Sequence, residues 1–228
     1  MNKNFLPYDV YERHKMVSRL VKPDNTVVDI GGELNHLSQF IQSKKLVVAN
    51  LDTGDVIITR SKIPFEDNSF DVVCSIDVLE HIPPNKRNDF IKKLIQIASK
   101  KIIMSFPMGT ESHIEYEKKI QRWLKNKGKS VTYLEEHIKF GLPTITEIKS
   151  LTRGFKTQMF YSGNLELNNI IFKLYMLDPK VKYIRKIIYY FKLIFNFFSN
   201  QLFYALLTNK KYSNKVNRAY LVIYKKRI

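Results

Sequence analysis

With 228 residues, 44% of them hydrophobic, the chain can build one α/β domain with an addition but is too short for two full domains. Its single cysteine, Cys74 in the apolar run DVVCSI, excludes a disulfide framework or a cysteine-built metal site and fits packing in a reducing compartment. The 38 Lys and Arg against 21 Asp and Glu give a net charge of +17, and residues 165–228 hold thirteen of those cations against only Glu166 and Asp178, so the C-terminal part is the basic one.

The opening MNKNFLPYDVYERHK carries no apolar h-region, so a cytoplasmic protein without a secretory signal is expected. A helix is predicted over 8–21 and stops before Pro23. An apolar strand over 26–30 contains Asp29 and runs into Gly31-Gly32, followed by a predicted helix over 34–43 and a strand over 46–51, with Asp52 at its tip. Glycines admit backbone angles closed to other residues, so this turn lets a ligand lie against the main chain at the following helix's N-terminus, while an acid at the second strand's tip can accept from both hydroxyls of a ribose. Strands over 70–75 and 101–106 flank a helix over 85–99. A helix over 112–127 follows, then a break at Gly141-Leu142-Pro143, a short helix from Thr144, and strands over 155–162 and 218–225. This alternation implies a mostly parallel, doubly wound sheet covered on both faces.

Residues 165–214 break the rhythm and read as a basic helical insert within a single domain: two helices parted at Asp178-Pro179, the second from about 181 to 207. Arg185, Tyr189, Lys192, Asn196 and Ser199 or Asn200 recur at steps of three and four, opposite Ile188, Phe191, Phe195, Phe198 and Leu202. The segment is too interrupted by polar residues to cross a bilayer. It suits a helix lying at an anionic membrane surface, or an apolar face packed on the parent domain or a second subunit.

Two further motifs sharpen the reading. Ile63-Pro64-Phe65-Glu66-Asp67-Asn68-Ser69-Phe70-Asp71 runs on to Asp77-Val78-Leu79-Glu80-His81-Ile82-Pro83, and Glu136-His137-Ile138-Lys139-Phe140-Gly141-Leu142-Pro143 comes later. Here the chain resembles the class I S-adenosylmethionine-dependent methyltransferases, over about residues 8–165 and more weakly the last strand, and within them a subgroup associated with surface-polysaccharide synthesis. The resemblance implies a Rossmann-like, mostly parallel seven-stranded sheet with an antiparallel last strand, and S-adenosylmethionine as cofactor. It places Asp29, Gly31 and Gly32 around the cofactor's methionine part, Asp52 on its ribose, and Ser75, Ile76 and Asp77 on the methionine and sulfonium side.

Methyl transfer to a hydroxyl needs alignment and removal of one proton, a task for an imidazole. His137 and His81 are the candidate bases, with His113 a third. Asp77, Glu80 and His81 at i, i+3, i+4, with His113 or His137, could gather ligands for a metal. The resembling enzymes carry D-V-L-E-H without one, and none is expected. A sugar on a nucleotide-linked or lipid-linked glycan precursor is the expected acceptor, bound by the irregular segments 107–112 and 133–143, with a small aromatic or a lipid left open. Nucleic acid is not expected, because no Asn-Pro-Pro-Tyr or Asp-Pro-Pro-Tyr motif occurs and the basic tail is interleaved with apolar residues. An NAD(P)-dependent oxidoreductase is disfavoured because its Tyr-x-x-x-Lys pair, here Tyr11 and Lys15, precedes the glycine turn.

Overall fold

The computed structural model describes residues 2–59, 62–176 and 179–227. Seven strands form one sheet: β1 (Thr26–Ile30), β2 (Lys45–Asn50), β3 (Val56–Ile57), β4 (Phe70–Ile76), β5 (Ala98–Pro107), β6 (Phe155–Ser162) and β7 (Arg218–Arg227), in the order β3-β2-β1-β4-β5-β7-β6. β7 runs antiparallel to both neighbours, so six strands point one way and the last strand the other. Val27, Val28, Val72, Val73, Ile102 and Ile103 are wholly buried, as a sheet covered on both faces requires.

The helices are α1 (Tyr8–Ser18), α2 (Pro84–Ile97), α3 (Glu111–Asn126), α4 (Thr132–Phe140), α5 (Ile145–Leu151), α6 (Leu165–Tyr175) and α7 (Lys182–Leu207). Local chemistry sets several starts: the Thr110 and Thr144 hydroxyls accept from His113 N and Glu147 N, and Asn164 accepts from Glu166 N and Leu167 N.

Three local expectations need correcting. No helix spans 34–43: Asn35 holds φ +65°, a left-handed angle no α-helix tolerates, and only a 3₁₀ turn at Leu37–Gln39 forms, with Leu37 fully buried beneath it. The glycine turn therefore does not open onto a helix N-terminus. The segment from 133 is not irregular either, because 132–140 is α4, ended by Gly141 at φ +74°. The leading helix stops at Ser18 rather than at 21. The expected break at Asp178-Pro179 includes Asp178, which lies outside the described residues.

α7 sits with much of its polar stripe inward. Asn196 Nδ2 donates to Phe5 O (2.9 Å), and Asn200 Nδ2 donates to Leu6 O (3.0 Å) and Asn4 O (3.1 Å), satisfying carbonyls that the N-terminal segment would otherwise bury unpaired. Tyr204, Phe203 and Leu207 join the apolar cluster beneath α1. Among the described residues no helix is long and apolar enough to cross a membrane.

Candidate active site

The sheet's carboxyl edge opens into a cavity of about 470 Å³, within the range of small-molecule pockets. One end is the glycine turn. Gly31 takes φ +82°, donates its N–H to Ala49 O (2.7 Å), and has no room for a Cβ beside Val78. At Gly32 a Cβ would overlap the carboxylate of Asp29, and Asn50 Nδ2 donates to its carbonyl (2.8 Å). Only glycines leave the main chain this bare.

Asp29 stands behind the turn, fully buried, with both carboxylate oxygens lacking a hydrogen-bond partner. Burial pushes its pKa up to about 7, against a small opposing pull from Arg13. Ser75 is likewise buried with an unpartnered hydroxyl. Gly31, Gly32, Ile76 and Asp77 face the cavity, Asp29 and Ser75 lie behind its wall, and Asp52 is exposed in the bend after β2 and does not line it.

Asp77 follows β4 at φ +55° and is held from three sides. Arg13 donates to Oδ2 (2.7 Å), Ser105 Oγ donates to Oδ1 (2.9 Å), and Arg218 pairs with Oδ1. Burial would raise its pKa, but the guanidiniums of Arg218 and Arg13 outweigh it and hold the carboxyl well below the usual range. Neither arginine was singled out in the sequence. Arg13 lies on α1 in the YERHK stretch and Arg218 opens β7, and both reach the cavity. The signal available was weak: a cation on the helix preceding the glycine turn.

The far end of the cavity gathers the histidines. His137 on α4 donates from Nδ1 to Glu117 Oε1 on α3 (2.8 Å), and its Nε2 is buried without a partner. His81 donates from Nδ1 to Glu136 Oε2 (2.7 Å), and its ring centroid lies 5.0 Å from that of His137. Burial, and then the neighbouring His137, lower the pKa of His81. His113 is buried, bonds Met108 O through Nδ1 (3.0 Å), and is pushed by that burial to about 3, so it stays neutral. Glu80 is buried with Oε2 unpartnered, and burial together with Asp77 raises its pKa well above the usual value. Glu80, His81 and His137 each offer one ligand atom within 4.8 Å of the others. The carboxylate–imidazole pairs, Glu117 and Glu136 as the partners, escaped sequence reasoning because they join separate elements.

A family model described as "Methyltransferase domain" matches residues 15–101. No curated protein matches the chain by sequence. Among solved structures the chain is similar to a SAM-dependent methyltransferase from Thermotoga maritima at 15% identity and TM-score 0.55, covering 98% of this chain and 92% of that one. It is also similar to phosphoethanolamine N-methyltransferase 2 from Haemonchus contortus, solved with phosphomonomethylethanolamine and S-adenosylhomocysteine, at 14% identity and TM-score 0.52, covering 92% of this chain and 51% of that one. At such identities these likenesses show the fold. The seven-stranded order is that of the Rossmann-like methyltransferase fold, and the methyltransferase-domain match over residues 15–101 supports methyl transfer with S-adenosylmethionine as cofactor.

Proposed function

We propose that the protein transfers a methyl group from S-adenosylmethionine to a hydroxyl of a sugar on a nucleotide-linked or lipid-linked precursor of a surface glycan. The residues present suit the cofactor. The glycine turn leaves a bare main chain, Asp29 keeps two unpartnered oxygens beside it, and Arg13 offers a guanidinium for a carboxylate. When bound, S-adenosylmethionine supplies a methyl on an already activated leaving group.

The observation that carries hydroxyl as acceptor is His137. Its Nδ1–H is spent on Glu117, so in the neutral ring Nε2 holds the lone pair, buried and unpartnered, at a wall of the cavity. As the acceptor oxygen takes the methyl group that the cofactor would supply, its proton would pass to His137 Nε2. Glu117 then stabilises the imidazolium. The sugar and its glycan context rest on the E-H-x-x-x-G-L-P resemblance around Glu136 to Pro143.

Calorimetry with S-adenosylhomocysteine on the wild type and Asp52→Ala tests the cofactor and its ribose contact. Binding by the wild type is expected and no binding at all overturns the cofactor pocket; because Asp52 lies outside the cavity lining, an unchanged affinity in the variant removes it from the ribose contact, and a weakened one assigns it. Radiolabelled transfer across a panel of nucleotide sugars, lipid-linked sugars and amines then tests the acceptor, and transfer to amines alone overturns it.

A second reading rests on Glu80, His81 and His137, a carboxylate and two imidazoles suited to a divalent transition metal that would acidify the hydroxyl directly. Transfer that survives exhaustive chelation supports His137 as base. Transfer lost on chelation and restored by manganese or zinc supports the metal.

A further inference from the structure

We propose that the wall which α3, α4 and α6 lend the cavity is the acceptor subsite, and that it selects an uncharged sugar ring through the hydroxyls of Tyr116 and Tyr175. The inference rests on the reading of the acceptor as a sugar hydroxyl and narrows it. His137, the base of that reading, stands on this wall, so the ring whose hydroxyl it deprotonates lies against the same three helices.

The charges on this wall are already spent. Among the described residues that line the cavity, α3, α4 and α6 contribute no lysine or arginine, and their one carboxylate, Glu117, is bonded to His137 (2.8 Å). Arg13 and Arg218, the arginines elsewhere in the lining, both pair with Asp77. A ring carrying a carboxylate or an ammonium would leave water here without a free counter-charge to meet it, a cost that a neutral ring does not incur.

The uncharged groups suit a polyol. Tyr116, Tyr133, Phe172 and Tyr175 bring four aromatic rings to the wall, apolar surface that the C–H face of a sugar can cover. Two of their hydroxyls are unspent as donors. Asn168 Nδ2 donates to the Tyr116 hydroxyl (3.2 Å), which occupies the phenol as an acceptor and leaves its hydrogen to give. The Tyr175 hydroxyl is buried without a partner, a state that costs stability until a ligand fills it. Asn168 Nδ2 also reaches Asn217 Oδ1 (3.4 Å), so this amide is steadied from β7's side and acts as a positioning residue for Tyr116. Behind the rings, Ile120, Leu124 and Leu134 form a small core with Tyr116 and Phe172 packed against it, which fixes the wall. Two separate donors on a fixed wall call for two acceptor oxygens on one ligand, as a sugar offers and a simple alcohol does not.

Each neutral sugar that accepts a methyl in the radiolabelled panel is compared with its uronic acid and 2-amino counterparts, and should show a kcat/KM at least about tenfold higher than either. Tyr116→Phe and Tyr175→Phe should each raise the acceptor KM about three- to tenfold, the loss of one hydrogen bond, with kcat and S-adenosylhomocysteine affinity unchanged and the melting temperature not lowered. Asn168→Leu should raise KM as Tyr116→Phe does and add nothing to it in the double variant, because it acts through that phenol. Calorimetric titration of the accepted sugar into protein saturated with S-adenosylhomocysteine should rank the variants in the same order. Charged counterparts methylated as well as the neutral ring, or a wild-type KM in both phenylalanine variants, overturn this inference and leave the sugar reading standing. A wild type that methylates no sugar overturns that reading and the inference with it.

Discussion

Glu117 and His137 stand 20 residues apart in the chain, and 2.8 Å separates Oε1 of the one from Nδ1 of the other where α3 meets α4. The contact fixes which ring nitrogen carries the proton and leaves Nε2 as the acceptor at the cavity. His137→Gln should therefore lower kcat for a hydroxyl acceptor by about 10²–10⁴, the usual worth of a positioned base, with S-adenosylhomocysteine affinity unchanged. Glu117→Gln should show a smaller fall of the same kind, since an amide oxygen still orients the ring but no longer stabilises the imidazolium. Undiminished transfer by His137→Gln would place the base elsewhere.

The glycine turn predicts an asymmetric cost for added methyl groups. Gly31 and Gly141 both hold positive φ, +82° and +74°, yet a Cβ at Gly31 meets Val78 while one at Gly141 meets nothing. Gly141→Ala should cost about 1–3 kcal/mol for its backbone alone, since φ +74° with ψ 145° is a conformation essentially confined to glycine. Gly31→Ala should cost more and also weaken S-adenosylhomocysteine binding, because relieving the clash moves the turn into the cavity. Urea unfolding and calorimetry on the two variants measure both effects, and equal costs would show that Val78 yields freely.

Asp29, Gly31 and Gly32 are legible in the sequence because a strand, a turn and their spacing are local. The sheet is legible for the same reason, its apolar runs standing out between polar helices. What escaped depends on distance in the chain or on one unusual residue. Arg13 and Arg218 reach Asp77 across 64 and 141 residues, and nothing local joins them. Asn35, at φ +65°, interrupts the expected helix at 34–43. The two-residue strand β3 carries too few side chains to show a period. In α7 the spacing correctly separates polar from apolar residues but cannot say which face turns inward, because that depends on main-chain carbonyls of Asn4, Phe5 and Leu6 nearly 200 residues away.

The two arginines on Asp77 should respond differently to substitution. Arg218 is buried, so Arg218→Gln removes one of the two cations paired with the buried Asp77 carboxylate, leaving Arg13 alone, and should cost about 3 kcal/mol of stability. Arg13 is partly exposed at the cavity, and Arg13→Gln should cost far less stability but weaken S-adenosylhomocysteine binding, whose carboxylate loses its guanidinium partner. Denaturation and calorimetry on both variants separate a structural cation from a ligand-binding one. Full retention of ligand affinity in Arg13→Gln would remove that arginine from the cofactor's contacts.

Asp29 makes stability depend on pH in a direction opposite to a salt-bridged acid. Its carboxyl titrates near 3.8 when solvated and near 7 in the fold, where burial disfavours the charge. Between those values the folded state keeps a proton that the unfolded chain has released, so the contribution of Asp29 to stability falls as pH rises through the window and levels off above about 7. Asp29→Asn carries no charge at any pH and should lose this slope. The stability of the variant relative to wild type should therefore climb from pH 4 to pH 7, by up to about 4 kcal/mol from the three-unit displacement. Urea unfolding at one-unit intervals measures the difference directly, and a gap that stays constant with pH would mean that Asp29 ionises in the fold as readily as in water.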